Sequence, residues 1–130
     1  MRIIPTRIHG VIDYAVGLLL IAAPWIFGFA DGGAKQWVPI IIGILNIGVS
    51  LMTDYELGVV RVIPSGTHLA LDMGKGVVLA ISPWLLGFAD EMWWPHVLVG
   101  LTEIVVPLMT QTHTSYDTNT PLEHVVDDAV

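Results

Sequence analysis

The sequence carries one 23-residue pattern twice, at residues 9–31 and again at residues 68–90. With a constant offset of 59 and no gap, ten positions are identical, whereas ordinary residue usage gives roughly one or two by chance. The identical pairs are His9/His68, Asp13/Asp72, Gly17/Gly76, Leu20/Leu79, Pro24/Pro83, Trp25/Trp84, Gly28/Gly87, Phe29/Phe88, Ala30/Ala89 and Asp31/Asp90. Such self-similarity indicates an internal duplication, so the chain is expected to fold as two similar units.

Each copy continues into a second apolar segment, which gives repeats of about residues 9–53 and 68–110. The charge-free stretches 14–30, 37–53 and 76–89, and the stretch 92–110 with Glu103 alone, are near the length that crosses a bilayer. The sequence therefore predicts an all-α fold with four transmembrane helices near 10–30, 37–53, 68–89 and 93–110. As two tandem two-helix hairpins, they are expected to be related by a pseudo-two-fold axis along the membrane normal.

Overall composition agrees with a membrane domain at residues 1–110. Charged residues make up only 13% of the chain and the mean hydropathy is +0.71, against about 25% charged residues in soluble domains. A very apolar soluble four-helix bundle is the alternative, but the helices lack the polar face that such a bundle needs. With no cysteine, disulfides and thiolate metal sites are excluded.

Basic residues predict the orientation of the spans. Arg2, Arg7 and Arg61 lie on the side of the termini and central linker, and only Lys35 lies on the other. This bias favours an integral, multi-pass protein of the cell membrane with both termini in the cytoplasm. The lipid bilayer is then the main partner, with a homo-oligomer or another membrane protein as further partners. A net charge of −7 does not suit nucleic acid. Residues 111–130 are expected to form a flexible acidic tail that could contact a cytoplasmic partner.

A Pro-Trp motif with a glycine three residues after the tryptophan recurs late in the first helix of each copy. Proline within a helix removes a backbone hydrogen bond, so we expect kinks near Ala22 and Ile81 and a structural role for the motif. The hydroxyl of Ser82 is placed to satisfy the carbonyl that is freed in the second copy. The motif residues are Pro24, Trp25 and Gly28 in the first copy and Ser82, Pro83, Trp84 and Gly87 in the second.

Ser82-Pro83-Trp84 in a doubled two-helix unit resembles the SPW repeat family of small membrane proteins. The resemblance covers about residues 9–110 and rests on the doubled His-x3-Asp, Pro-Trp and Gly-Phe-Ala-Asp pattern. One departure is Ala23, which stands in the first copy where the motif has serine. The resemblance implies a membrane protein with two spans per repeat and no established activity.

Two doubled polar pairs, His9 with Asp13 and His68 with Asp72, are the first candidates for chemistry. Residues four apart share a helix face, and their distance from Ala30 puts both aspartates near the cytoplasmic edge of the membrane. Each carboxylate could simply be stabilised at a helix start beside a histidine that shares its proton. If the pairs converge, the four side chains would suit a divalent metal, and two axial histidines could alternatively bracket a haem.

Lys75 and Glu103 break the repeat, because the other copy has Val16 and Asn46 at these positions. Glu103 is expected near mid-depth, where an ionisable group is costly and is a candidate for function. Lys75 is able to reach Asp72 at i, i+3 or Glu103 across the helices, and Asn46 is a polar counterpart for Glu103. A structural ion pair and a protonatable group on a proton or cation pathway both remain open.

These observations favour a non-enzymatic membrane bundle with a structural or accessory role. Two alternatives remain: a small proton or cation transporter or channel subunit, and a metal- or haem-binding membrane protein. A nucleophile paired with a base, a phosphate loop and a dinucleotide fingerprint are all absent from the sequence, and no cofactor is assigned.

Overall fold

The computed structural model describes residues 2–112 and is all-helical apart from one pair of two-residue strands. The predicted tail lies outside the described residues, except for Gln111 and Thr112. In chain order, the elements are α1 (Thr6–Ile26), α2 (Ala34–Leu51), β1 (Thr53–Asp54), β2 (Ile63–Pro64), α3 (Ser65–Leu85) and α4 (Trp94–Met109). The strands β1 and β2 pair in parallel.

Two of the four helices, α1 and α2, are long and apolar enough to cross a membrane, as judged by length and composition. Helix α3 is as long as α1 but carries Asp72 and Lys75, and α4 is apolar but only 16 residues long. For the described residues, the prediction of a helical fold with four helices is confirmed, and two of the four have the length and apolar composition that a membrane span needs.

Helices α1 and α3 begin and end about four residues earlier than the predicted ranges 10–30 and 68–89. They begin early because Pro5 and Pro64, in extended conformation, directly precede the first helical residue. Proline fixes its own backbone but does not prevent a helix from starting after it. The repeated pattern therefore begins inside the first turn of each helix and does not mark its start.

The Pro-Trp motif ends the helix, whereas the sequence predicted a kink in a helix that continues. Pro24 and Pro83 lie in the last turn, and Gly28 and Gly87 follow with φ of +75° and +78°. Left-handed backbone at this position lets the chain fold back on the helix end. The backbone N–H groups of residues 29 and 30 donate to the Pro24 carbonyl at 2.8 and 3.0 Å, and residues 88 and 89 contact Pro83 in the same way.

Close glycine contacts hold each helix to its neighbour in the chain. A Cβ atom added to Gly76 on α3 would lie 2.6 Å from the Gly100 carbonyl oxygen on α4. The equivalent contact joins α2 to α1, where a Cβ atom on Gly43 would lie 2.6 Å from the Gly17 carbonyl oxygen. Backbones approach this closely only where a side chain is missing. Helix α3 therefore packs closely against α4 of the same chain at Gly76.

The helix ends lie at two opposite ends of the molecule. The linker end holds the starts of α1 and α3, the ends of α2 and α4 and the linker 52–64. The turn end holds the two hairpin turns, 27–33 and 86–93. At the linker end, Ile4 N–H donates to the Met109 carbonyl at 2.8 Å and the Thr6 hydroxyl donates to Glu56 at 2.8 and 2.9 Å. At the turn end, Lys35 contacts Asp31 at 3.2 Å and Glu91 at 2.6 Å. The Gly33 N–H and the Lys35 ammonium hold the pKa of the Asp31 carboxyl below its usual value.

Side-chain polarity is inverted relative to a water-soluble domain. Among residues 2–112, thirteen polar or charged residues are buried, while large apolar side chains on all four helices point outward. Outward residues include Leu18 on α1, Ile44 on α2, Val78 on α3 and Leu101 on α4. Since large exposed apolar areas are rare on soluble monomers, this arrangement indicates an apolar environment around the helices.

Candidate functional site: a buried ring of two histidines and two aspartates

The two His-x3-Asp pairs meet in the interior between α1 and α3. His9 and Asp13 face inward from α1, and His68 and Asp72 face inward from α3. All four are buried, with relative exposures of 1–3%. The sequence left open whether these pairs converge, and the structure brings them together in one cluster, called here the His/Asp ring.

Four side-chain atoms form the ring, and they alternate between imidazole nitrogen and carboxylate oxygen. His9 Nε2 lies 2.7 Å from Asp72 Oδ2 and 3.1 Å from Asp13 Oδ2. His68 Nε2 lies 2.5 Å from Asp13 Oδ2 and 3.0 Å from Asp72 Oδ2. The shortest contact of each histidine is thus with the aspartate of the other repeat, so the ring joins α1 to α3.

A threonine hydroxyl fixes the outer nitrogen of each histidine. His9 Nδ1 lies 2.8 Å from Thr110 Oγ1, and His68 Nδ1 lies 2.6 Å from Thr53 Oγ1. Each threonine hydroxyl in turn donates its single proton to a helix carbonyl, that of residue 106 or 49, at 2.6 Å. Because a hydroxyl has only one proton, each Nδ1 must be the donor in its contact with threonine.

This hydrogen-bond pattern also sets the number of protons inside the ring. With Nδ1–H committed to threonine, a hydrogen bond between Nε2 and a carboxylate oxygen needs one further proton on either atom. The two shortest contacts, His9–Asp72 and His68–Asp13, therefore hold two protons. The two imidazoles, two carboxylates and two added protons together carry no net charge, which lowers the cost of burying them.

Lys75 and Asn46 extend the polar cluster from the ring to Glu103. The Lys75 ammonium contacts Asp72 Oδ1 at 2.8 Å and Glu103 Oε2 at 3.9 Å, and it donates a hydrogen bond to Asn46 Oδ1. Asn46 Nδ2 donates to Glu103 Oε1 at 2.7 Å. The sequence offered Asp72 and Glu103 as alternative partners of Lys75, and the structure brings both to it. We call the ring together with Lys75, Asn46 and Glu103 the polar layer.

The aspartates lie further inside their helices than the predicted helix ranges implied. Because α1 begins at Thr6, Asp13 lies seven residues from the helix start, or about 10 Å along the axis. The predicted range 10–30 put Asp13 only three residues from the start. Asp13 is thus two turns inside α1, where the Ser50 hydroxyl donates to its Oδ2 at 3.2 Å. Its position near the membrane edge stays a prediction.

The Pro-Trp motif residues take no part in the polar layer. The Ser82 hydroxyl donates to the Leu79 carbonyl at 2.7 Å, which is the carbonyl that Pro83 leaves without its usual partner. This contact is as expected from the sequence. Trp25 and Trp84 are each 61% exposed at the turn end. The motif therefore terminates its helix and presents its indole to the surroundings.

Several residues of the site were missed in the sequence. Thr53 and Thr110 orient the histidines and Ser50 contacts Asp13. Outside the site, the sequence also did not indicate His96, which is buried at the turn end, where its Nε2 donates to the Lys35 carbonyl at 2.9 Å. A signal for the threonines was present, because a Met-Thr pair closes the second helix in both repeats. The role of these threonines is visible only in their contacts with the histidine Nδ1 atoms.

The ring atoms can share protons or bind a small cation, but they leave no space for a larger group. The two carboxylates occupy the gap between the imidazoles, where a porphyrin would have to pass, so the haem alternative does not fit. A cavity beside His9 and His68 has a volume of about 10 Å³, which is room for roughly one water molecule. An organic substrate does not fit there.

Comparison with known proteins agrees with the pattern of the sequence. The SPW repeat domain matches residues 7–110, which is most of the chain. A search of curated proteins and a search of solved structures each return no match. The match and the two long apolar helices indicate a membrane location, and the chain belongs to the SPW repeat domain family.

Proposed function

We propose that this protein is a non-enzymatic, multi-pass membrane protein in which the polar layer locks two helical hairpins into a structural or accessory four-helix bundle. In this proposal all four helices span the membrane, the hairpins are related by a pseudo-two-fold axis along its normal, and both termini are cytoplasmic. The observation that carries the proposal is the reciprocal pairing of each histidine with the aspartate of the other repeat. Each of these two contacts joins the first hairpin to the second.

An apolar layer on the turn-end side of the ring argues against a continuous polar pathway. Leu20 and Leu79 follow Asp13 and Asp72 by seven residues, or two helical turns, and pack with Ile42 in a buried core. A proton or ion that entered the polar layer from the linker end would meet this apolar layer beyond it. This arrangement favours the structural role over transport.

Apolar outward faces on α3 and α4 support four spans. Helix α3 exposes Val77, Val78 and Ile81, while its Asp72 and Lys75 point into the polar layer. Its charges are thus shielded from lipid by the other helices, which is how ionisable residues are accommodated in membranes. All five tryptophans are exposed and lie at or near the turn end. This is the position expected for tryptophans at the level of the lipid headgroups.

A transport role is the second candidate, and one observation favours it. Glu103 is only 5% exposed, and its Oε2 atom has no hydrogen-bond partner within residues 2–112. An unsatisfied buried carboxyl oxygen is costly, and a functional proton acceptor is one reason to retain it.

A proton-flux measurement separates the two candidates. The native chain, reconstituted in liposomes with a pH-sensitive dye, is expected to give the same proton flux as protein-free liposomes. Glu103→Gln should behave identically. A flux in the native chain that Glu103→Gln abolishes, and that the outward-facing control Thr102→Val retains, would replace the structural proposal with transport.

Single-cysteine labelling tests the four-span topology, because the native chain contains no cysteine. Val59→Cys lies in the linker and Asp90→Cys in the second hairpin turn, and both positions are exposed. In intact cells a membrane-impermeant maleimide should label Asp90→Cys at once and Val59→Cys only after permeabilisation. Equal labelling of both in intact cells would contradict the topology, and the reverse pattern would contradict the orientation.

A further inference from the structure

We propose that the His/Asp ring binds one divalent transition-metal ion through His9 Nε2, Asp13 Oδ2, His68 Nε2 and Asp72 Oδ2. These atoms belong to a group of potential metal ligands that lie within 4.8 Å of one another. This proposal goes beyond the structural role, since a bundle can be held by hydrogen bonds alone.

Ring dimensions fit a small cation. The four edges are between 2.5 and 3.1 Å long. The centre of a square with such edges lies about 2.0 Å from each corner, which is the length of zinc bonds to histidine nitrogen and carboxylate oxygen. A tetrahedral site with the same bonds has edges of about 3.3 Å, and each ligand atom would move by about 1 Å from the corners of the square to reach it.

The donor set selects the class of ion. Imidazole nitrogen suits zinc, copper, nickel and iron, whereas magnesium and calcium prefer sites built of oxygen alone. The absence of cysteine disfavours ions that require thiolate. Two imidazoles with two carboxylates therefore favour Zn²⁺ and its neighbours in the first transition row.

The two threonines provide the second observation, independent of the ring distances. By accepting the Nδ1 proton, Thr53 and Thr110 hold each imidazole with Nε2 directed into the ring. Metal-binding histidines characteristically donate their other N–H to such a partner, which fixes both tautomer and ring orientation. Each repeat supplies one threonine, so both ligands are oriented in the same way.

Charge balance allows ion and protons to exchange in a buried site. Two ionised carboxylates and one divalent ion sum to zero, as do the same carboxylates with the two protons that the hydrogen bonds require. One ion thus enters as two protons leave, and the net charge of the ring is unchanged. The small cavity that borders His9 and His68 is also lined by Thr6 and Ser65 at the helix starts, so it lies on the linker-end side of the ring.

Metal content of the full-length protein tests the proposal. The chain is purified in detergent, stripped with a chelator, equilibrated with Zn²⁺ or Co²⁺, freed of excess ion and analysed by elemental mass spectrometry. We expect one ion per chain and a Co²⁺ absorption spectrum typical of nitrogen and oxygen ligands. His68→Gln should weaken binding at least about tenfold, whereas His96→Gln, the same change at the turn end, should keep one ion per chain.

A second variant keeps the test informative if His68→Gln fails to fold. Thr53→Val retains all four ligand atoms and removes one orienting contact, so its affinity should fall about 10- to 100-fold. The proposal is overturned if the folded native chain retains neither Zn²⁺ nor Co²⁺. Binding that His68→Gln and Thr53→Val leave at the native level would overturn it as well, because the ion would then lie elsewhere.

Discussion

Asp72→Ala is expected to lower the free energy of unfolding by about 3–5 kcal/mol, as is usual when one partner of a buried charged pair is removed. Asp72 Oδ2 contacts both histidines and its Oδ1 contacts Lys75. Without it, three buried nitrogen groups lose their shared acceptor. The loss can be measured by denaturant unfolding of the purified protein in detergent micelles, followed by tryptophan fluorescence.

The matched control for Asp72→Ala is Asp31→Ala. Asp31 also contacts a lysine, at 3.2 Å, but its side chain is 46% exposed, and water screens an exposed ion pair so that it contributes little to stability. We therefore expect a much smaller loss than for Asp72→Ala. Similar losses of unfolding free energy in the two variants would mean that burial in the ring does not increase the stabilising effect of an aspartate.

Gly76→Ala is expected to destabilise the protein by about 1–3 kcal/mol, the usual range for an added group in a packed interior. The new methyl group would lie 2.6 Å from the Gly100 carbonyl oxygen and 2.8 Å from the Glu103 Cβ atom. One of these neighbours is backbone, so α3 and α4 must move apart. The same unfolding measurement detects the change.

Gly74→Ala is the control, two residues away on the same helix. A Cβ atom there meets no other atom within 4 Å among the described residues, and alanine is the better helix former. This variant should be as stable as the native chain or slightly more so. If Gly74→Ala destabilises the protein as much as Gly76→Ala does, the inferred close approach of α3 and α4 at Gly76 is contradicted.

Much of the architecture could be predicted from the sequence because the duplication and the uncharged stretches are local patterns. They gave the all-helical class, four helices and the family resemblance. Helix boundaries were less predictable, because the repeated pattern begins inside each helix and does not mark its start. The prolines at 5 and 64, which lie just outside the pattern, mark the true starts.

The site was only partly predictable. Its four ring residues were found because they occur twice at helical spacing, but their convergence depends on how α1 and α3 are rotated toward each other. No local pattern specifies that rotation. Thr110 lies 101 residues from His9 in the chain, so its contact arises from the folding together of both repeats. Lys75 and Glu103 were found because they break the repeat, and Asn46 was found as the counterpart of Glu103 in the first copy. The structure shows that the Asn46 amide contacts both of them.

The central claim is that the His/Asp ring couples the two hairpins, and a double-mutant cycle on His9 and Asp72 tests it most directly. These residues belong to different repeats and meet at 2.7 Å. The unfolding free energies of the native chain, His9→Ala, Asp72→Ala and the double variant give their interaction energy. We predict a coupling of at least about 1 kcal/mol, within the range for contacting residues. Losses that add to within about 0.5 kcal/mol, as for independent sites, would contradict the account.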